Sequence, residues 1–256
     1  MKKLFAALSL FTIITFQSFG WGQNGHRVVG QIAAWHLSKK AQRTIQEILQ
    51  HESIPMAANW MDQIRSDHAY DYAYTWHFLT VREGKGYEPE IQEKGGDAYQ
   101  TLLRLIDELK NQPLSPKKKQ ENLKMLIHIV GDLHQPLHVG TGKDQGGNKV
   151  SVYYFNQKTN LHSVWDTKMI ERQKLSFTEL AEHLNRRADK ETIEKLQSAP
   201  ISEWLTEAVS LRPFVYDLPE NNRLSYEYDY KYFPIIEDRL LAGGIRLAGI
   251  LNDIFG

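Results

Sequence analysis

Two histidine–aspartate pairs with a four-residue spacing constrain the fold of this chain more than any other feature. His128 and Asp132 lie in a segment whose pattern predicts a helix over 116–133. Side chains four residues apart project from the same face of a helix. His162 and Asp166 repeat the spacing further along the chain. Each segment is therefore predicted to present an imidazole beside a carboxylate.

Further histidines and aspartates accompany the two pairs. His138 follows Pro136, which ends the predicted helix, and His26, Asp62 and His77 lie upstream. Imidazole and carboxylate are the ligands that zinc takes when no thiolate is offered. One such pair is weak evidence, but the larger set predicts a site with several metal ligands. The alternative is a group of separate core histidines, each with its own hydrogen-bond partner.

The rest of the chain has a mostly helical pattern. Apolar residues recur at helical spacing, which predicts further helices over 25–37, 38–50, 56–65, 99–110, 202–209 and 234–255. Residues 149–155 and 159–164 favour one small β-hairpin, and 70–81 favours an extended segment. The sequence shows no internal repeat or low-complexity linker. We therefore predict a single, mostly α domain.

The first twenty residues have the parts of a secretory signal peptide. Two lysines precede an apolar run, and the small residues Ser18 and Gly20 precede a cleavage site before Trp21. The alternative, a membrane anchor, needs a longer apolar run. No other segment is apolar enough to cross a membrane. We expect a signal peptide over 1–20 and a mature domain over 21–256, secreted or periplasmic and without a membrane association.

Charge and cysteine content restrict the classes of function. The chain has 31 basic and 31 acidic residues, so its formal net charge is zero. A protein that holds long duplexes by charge alone is therefore disfavoured, and any attraction for phosphate must be local. The chain has no cysteine and hence no disulfide. Metal ligands that assemble only on folding can provide stability instead.

Four motifs resemble those of the type I, single-strand-specific zinc nucleases. They are Trp-Gly-x-x-Gly-His at 21–26, His-x3-Asp-x5-His at 128–138, Asp-x-Gly-Gly-Asn at 144–148 and Asn-Leu-His-x-x-Trp-Asp at 160–166. The resemblance extends over the whole mature chain. It implies a mostly helical fold, of the kind shared with zinc-dependent phospholipase C, with three zinc ions in one cleft.

The resemblance also implies which residues hold the three ions. The first ion takes Asp62, His77, His128 and Asp132. The second takes His138, His162 and Asp166. The third takes the backbone amine and carbonyl of Trp21, the imidazole of His26 and the bridging carboxylate of Asp132. Because the ions outweigh the charge of their aspartates, positive charge would be concentrated in one cleft.

The implied reaction is hydrolysis of phosphodiester bonds in single-stranded RNA and DNA to 5′-phosphate products, with a 3′-nucleotidase activity. Zinc ions can activate water near neutral pH and neutralise the departing oxygen, so no side-chain nucleophile is required. Asp132 and Arg65 are the predicted catalytic residues. Arg65 resembles the arginine that stabilises charge on the phosphate oxygens. Its alternative role is an ion pair that only orients Asp62.

Three residues are predicted to contact the substrate. Phe78 resembles the residue on which a base stacks, and stacking accepts every base. Gly147 and Asn148 belong to a tight turn whose glycines let the backbone approach the cleft. The alternatives are a core position for Phe78 and a plain hairpin turn. Many relatives have an aspartate shortly after the histidine-aromatic pair, whereas residues 79–82 contain none, which leaves the base preference open.

Two other functions fit part of this pattern. A zinc-dependent phospholipase C would share the fold and the three-zinc site, but here the interval from Trp21 to His26 is short and the last ligand is Asp166 rather than glutamate. A non-catalytic zinc-binding protein would need neither Arg65 nor Phe78. We therefore expect single-stranded nucleic acid and nucleotides as substrates, and a monomeric protein.

The predicted cleavage before Trp21 has a chemical consequence. A free α-amino group titrates near pH ~8 and offers a lone pair to zinc, whereas the same nitrogen in a peptide bond does not. Protein that begins at Trp21 should therefore bind three zinc ions and be active. Protein with one extra residue should lack the third ion and most of the activity. Mass spectrometry, zinc analysis and a nuclease assay compare the two forms, and full zinc and activity in the extended form would contradict the prediction.

Overall fold

Helices account for most of the fold, and the computed structural model describes residues 21–256. The α-helices are α1 (Gln23–Trp35), α2 (Lys39–Leu49), α3 (Ile54–Ala57), α4 (Trp60–Gln63), α5 (Ala98–Asn111), α6 (Pro116–Asp132), α7 (Leu161–Ser163), α8 (Met169–Arg172), α9 (Phe177–Asn185), α10 (Lys190–Ser198), α11 (Ile201–Val215) and α12 (Tyr226–Phe255). Short 3-10 helices cover Ile64–Ser66, His68–His77, Pro89–Ile91 and Pro136–His138, and a π-helical turn covers Val164–Lys168. The mostly α prediction is confirmed. The predicted signal peptide, 1–20, lies outside the described residues.

Helix α6 lies at the centre of the fold. It begins as predicted, because the Ser115 hydroxyl accepts a hydrogen bond from the backbone N–H of Lys118 at 3.3 Å. Every residue from 122 to 132 is buried, since α1, α2, α3, α4, α5 and α12 all pack against this helix. A helix that is buried on all sides is typical of a protein core. His128 and Asp132 are therefore held away from solvent.

Helices α1 and α12 cross in close contact beside α6. A Cβ atom added to Gly244 of α12 would lie 2.5 Å from the Cβ of Ile32 in α1, so only glycine permits this approach. The crossing fixes α1 and with it the position of His26. Although α12 is long, no helix between residues 21 and 256 combines the length and apolarity that crossing a bilayer requires.

Two small sheets complete the fold. Strands β1 (Leu79–Thr80) and β2 (Val139–Gly140) are parallel, and Leu79 pairs with Val139. This pairing places the residues after His77 beside those after His138. Strands β3 (Ser151–Tyr154) and β4 (Gln157–Asn160) form a hairpin, as predicted, and β5 (Arg223–Leu224) adds a parallel third strand to β3. The second strand was predicted over 159–164 but ends at Asn160, because the Asn160 side chain accepts from the N–H of Ser163 at 2.7 Å and starts α7.

A buried arginine connects the β1–β2 pair to helix α11. The guanidinium of Arg212 donates to the carbonyl oxygens of Val81 at 2.8 Å, Val139 at 3.0 Å and Gly140 at 2.9 Å. Buried carbonyl groups require such donors. Arg212 therefore fixes the strands that follow two of the predicted metal ligands.

The structure differs from the sequence predictions at several segments. Helices α9 and α10 were not predicted, and two long segments have another structure or another start than predicted. Residues 70–77 form a 3-10 helix rather than an extended strand. Their alternating aromatic residues imitate a strand pattern, but the Asp67 carboxylate accepts from the N–H of Ala69 at 3.0 Å and starts a helix. Helix α12 begins at Tyr226 rather than at Pro234, because the helix continues through this exposed proline. A proline inside a helix ordinarily predicts a boundary.

Glu207 of α11 forms a half-buried ion cluster with two arginines of α12. Its carboxylate accepts from Nη1 of Arg239 at 2.5 Å and from Nη1 and Nη2 of Arg246 at 2.6 Å. Arg239 Nε also donates to the carbonyl of His134 at 3.1 Å. Burial opposes ionisation of Glu207, but both arginines overcome it and lower its pKa to about 2. The cluster connects α11 and α12 to the turn after α6.

Replacing Glu207 should destabilise the fold in a pH-dependent way. Glu207→Gln leaves two buried arginines without their carboxylate, which costs about 3 kcal/mol of unfolding free energy. Because the folded pKa is depressed, this difference should be full above pH ~5 and shrink as the pH falls towards 2. Urea denaturation at several pH values measures it. Glu203→Gln, an exposed acid on the same helix, is the control, and equal stability of the two variants at pH 7 would contradict the prediction.

Candidate metal centre

The predicted metal ligands are carried by different elements that meet around the end of α6. His26 lies on α1, Asp62 on α4, His77 ends the 3-10 helix His68–His77, His128 and Asp132 lie on α6, His138 ends the 3-10 helix Pro136–His138, His162 lies on α7 and Asp166 in the π-helical turn. Except for Asp62, all of these residues are buried. The fold thus brings together residues that are far apart in the sequence.

The Asp132 carboxylate is the centre of this arrangement. Its Oδ1 lies 3.4 Å from Nε2 of His26 and 3.5 Å from Nδ1 of His138. Its Oδ2 lies 3.1 Å from Nδ1 of His77 and 3.2 Å from Nε2 of His128. One carboxylate therefore contacts histidines from four elements, as expected of a ligand shared between ions.

The ligand atoms fall into three groups, each spanning no more than 4.8 Å. The groups are His77, His128 and Asp132; His138, His162 and Asp166; and His26, Asp62 and His128. The second group is the one predicted for the second ion. The four residues predicted for the first ion are divided between the other two groups, because His128 lies within reach of both.

Trp21 lies next to this centre. Its side chain is fully buried. Trp21 and His26 both pack closely against Gly131 of α6, since a Cβ atom added to Gly131 would lie 2.7 Å from Nδ1 of His26 and 3.7 Å from the Trp21 ring. The N–H of the next residue, Gly22, donates to the carbonyl of Asp166 at 2.8 Å. The start of the described chain is therefore fixed between two of the predicted ligands, while the role of the Trp21 backbone stays a prediction.

Backbone carbonyl groups orient three of the imidazoles. Nδ1 of His128 bonds to the carbonyl of Ala58 at 2.7 Å, and Nδ1 of His138 bonds to that of His77 at 2.6 Å. Nδ1 of His162 bonds to the carbonyl of Gly146 at 2.7 Å. Each bond places the proton on Nδ1 and the lone pair on Nε2, which is the usual arrangement of a metal-bound histidine.

The buried nitrogens decide between a metal site and separate core histidines. Both ring nitrogens of His26 and the Nε2 atoms of His77 and His138 have no hydrogen-bond partner among the described residues. The His26 and His128 rings also stack with centroids 3.8 Å apart. Core histidines would have their nitrogens satisfied. The donor set therefore fits divalent metal ions that accept nitrogen and oxygen ligands.

Burial and charge set the protonation of these residues. Burial, with the neighbouring His128, lowers the pKa of His26 to about 4, and burial with His138 lowers the pKa of His162 to about 3. For His128, burial is overcome by Asp132 and Asp62, which raise its pKa to about 9. The two carboxylates thus favour a positive charge beside them. A metal cation can supply that charge in place of the proton on His128.

Arg65 lies at the rim of the centre. Its Nη1 is 3.8 Å from Oδ1 of Asp62, and its guanidinium carbon lies 5.8 Å from the centroid of the Tyr74 ring. Both side chains of the ion pair are about a quarter exposed, at 26% and 23%. Arg65 therefore contacts a predicted ligand and also borders the open side of the site, which is compatible with either predicted role.

A cavity of about 400 Å³ adjoins the second ligand group. His138 and His162 line its inner side, and Phe78 and Tyr74 form an aromatic wall with ring centroids 6.2 Å apart. Phe78 is only half-buried. Phe78 therefore lines the cavity beside the second ligand group rather than the core, and its contact with substrate stays a prediction.

The glycine-rich turn supports the same cavity. Gly146 has a φ of +58°, and a Cβ there would lie 2.3 Å from the carbonyl oxygen of Leu137. Gly147 is buried and its carbonyl accepts from the N–H of Val150 at 3.1 Å, while the amide of Asn148 donates to Gln145 at 2.9 Å. Both residues shape the turn, and their contact with substrate stays a prediction.

Sequence reasoning missed several residues around the centre. Gln135 accepts from the N–H of Leu137 at 2.6 Å and donates to Oδ1 of Asp166 at 3.4 Å, so it orients a predicted ligand. Its position between Asp132 and His138 in the sequence motif could have indicated this role. Glu93 and Lys149 line the cavity, but they lie in loops without any pattern that would single them out.

Comparisons with known proteins agree with this geometry. A family model described as S1/P1 nuclease matches residues 21–256. Endonuclease 2 of Arabidopsis thaliana is 28% identical over 93% of this chain and 91% of its own length. Nuclease S1 of Aspergillus oryzae is 26% identical over 92% of each chain. Nuclease P1 of Penicillium citrinum is 30% identical over 58% of each.

Zinc should stabilise the folded protein through the buried ligand atoms. At a zinc concentration a hundred times Kd, each ion adds about 2.7 kcal/mol to the unfolding free energy. Thermal unfolding of metal-stripped protein, with and without added zinc, measures this gain together with elemental analysis. Asp132→Ala should lose most of the gain, whereas Asp253→Ala, an exposed acid far along α12, should retain it. A gain that is equal in both variants would rule out Asp132 as a ligand.

Proposed function

The chain belongs to the S1/P1 nuclease family and is a hydrolase of phosphodiester bonds, and from this premise we propose the details of its reaction. We propose that it is a zinc-dependent endonuclease that cuts single-stranded RNA and DNA to 5′-phosphate products, with three zinc ions bound. We further propose a 3′-nucleotidase activity, since both reactions break a bond between phosphorus and a 3′-oxygen.

One observation carries this proposal. Three groups of histidine and aspartate residues meet around Asp132, and His138 and His162 of one group line a cavity with an aromatic wall. A phosphate at the metal centre and a base in the adjoining cavity would then be bound together. A site that only stores zinc would need no such cavity.

The residues of this chain prepare the site for hydrolysis. Zinc ions held here would activate water and neutralise the oxygen that leaves from phosphorus. The backbone bonds to His128, His138 and His162 hold their Nε2 lone pairs in fixed directions, so little reorganisation is needed. Arg65 would donate to the phosphate oxygens from the open side of the site.

The aromatic wall supports the preference for single strands. A base can lie on Phe78 only if it has left its duplex stack, and an unpaired strand permits this without breaking base pairs. Tyr74, which is 47% exposed, extends the wall towards solvent. The zero net charge gives the protein little general attraction for duplexes.

Location and assembly also belong to this proposal. The pattern of residues 1–20 supports export, so we propose a secreted or periplasmic enzyme. All of the ligand side chains come from one chain, and a second copy is not needed to complete them. We therefore propose that the monomer is active and that it does not require a membrane.

Digestion of matched substrates tests the function. Zinc-loaded protein that begins at Trp21 should cleave single-stranded oligonucleotides at least about tenfold faster than the same sequence as a duplex at moderate salt. End-group analysis should find 5′-phosphates. Equal rates on both substrates would contradict the preference, and hydrolysis of phosphatidylcholine in place of nucleic acid would favour a phospholipase.

The same digest separates the two roles of Arg65. If Arg65 stabilises charge on phosphate, Arg65→Ala should keep its zinc and lose on the order of a hundredfold in kcat. If Arg65 only orients Asp62, the variant should lose metal together with activity. Arg43→Ala, at an exposed position of α2, is the matched control and should behave as wild type.

A further inference from the structure

The cavity beside the metal centre contains one acidic and one basic side chain in addition to its predicted ligands. Glu93 comes from the loop before α5, and Lys149 comes from the segment before β3. Both are exposed residues that line the cavity. Phe78 lines the same cavity, so a flat ring that lies on Phe78 would share the cavity with these two groups.

Hydrogen bonds from two side chains hold the loop of Glu93 in a defined position. Gln92 exchanges two hydrogen bonds with the backbone of Thr80, at 2.9 and 2.7 Å. The indole of Trp76 donates to the carbonyl of Gly95 at 2.8 Å. The loop is therefore fixed on both sides of Glu93 to the segment that also carries Phe78.

The backbone of Lys149 is fixed as well. Its N–H donates to the carbonyl of Asp144 at 3.0 Å, which closes the glycine-rich turn. The carbonyl of Gly146 in that turn bonds to His162 at 2.7 Å. Lys149 is thus connected through one short segment to a predicted metal ligand.

A carboxylate at this position has an unusual electrostatic effect. It repels the phosphates of a nucleic acid strand, so it does not serve affinity for the polymer. A carboxylate does attract the N–H groups at the edge of a base, and such charge-assisted hydrogen bonds are strong. Glu93 is therefore suited to selecting among bases.

Guanine offers the best match to this pair of side chains. Its N1–H and its amino group are adjacent donors that one carboxylate can accept together, and its O6 accepts from an ammonium. Uracil and thymine have one N–H between two carbonyl oxygens, which a carboxylate repels. Adenine and cytosine place an acceptor nitrogen beside their amino group. We propose that Glu93 and Lys149 make this cavity prefer guanine, an inference that rests on the proposed nuclease function.

Dinucleotides with each base in each position test this proposal. For the nucleotide that occupies the cavity, kcat/KM of the zinc-loaded protein should favour guanine over uracil by about tenfold. Glu93→Gln should bring this ratio close to one, since the amide cannot accept both donors. Lys149→Met should lower the ratio to a smaller extent. The exposed neighbours provide matched controls, and Glu90→Gln and Lys94→Gln should keep the wild-type ratio.

The outcomes separate this inference from the function on which it rests. Cleavage of all dinucleotides with equal kcat/KM, or a guanine preference that Glu93→Gln leaves unchanged, would overturn the role of Glu93 while the nuclease function stands. If the zinc-loaded protein cleaves no dinucleotide and no single strand, the proposed function itself fails. The inference is supported if Glu93→Gln lowers the guanine-to-uracil ratio of kcat/KM and Glu90→Gln does not.

Discussion

The Asp132 carboxylate is fully buried at the end of α6, within 3.5 Å of imidazole nitrogens from His26, His77, His128 and His138. A buried carboxylate is strongly unfavourable unless positive charge and hydrogen-bond donors surround it. The elements that carry the histidines must therefore converge on the end of α6. This requirement explains why residues from the first helix, two 3-10 helices and the central helix meet at one point. The remaining packing serves to hold that point in place.

Charged groups outside the centre hold the segments that follow α6. Arg212 bonds to the strands after His77 and His138, and the Glu207 cluster bonds to the turn after Asp132. These contacts are buried or half-buried, so they are screened less than surface ion pairs. In a chain without cysteine, cross-links of this kind take the place of disulfides. The predicted metal ligands are thus positioned by a framework that is itself partly ionic.

The sequence predicted which histidines and aspartates the fold brings together, because metal chemistry demands particular residue types at particular spacings. Asp132 lies four residues after His128 on the same helix, so their side chains are close together. His138 lies six residues further along, after the helix ends and the chain turns at Pro136, which brings it near Asp132. The 3-10 helix over 70–77 was missed because its alternating aromatic residues imitate a strand pattern. Glu93 and Lys149 of the cavity could not be predicted either. Glu93 acquires its position from side-chain bonds to a distant segment, and no local pattern records them.

The two parts of the site have opposite electrostatic requirements. Metal ions held by the ligand groups would concentrate positive charge there. This charge would attract every phosphate of a strand equally and would carry no information about sequence. Aromatic stacking on Phe78 is also tolerant of the base. Discrimination can therefore come only from groups that meet the edge of the base and avoid the phosphate. Glu93 satisfies both conditions, since its negative charge keeps phosphate away and its oxygens accept N–H donors. Glu93 lines the same cavity as Phe78, His138 and His162, so a group for selectivity and groups for affinity would share one small cleft.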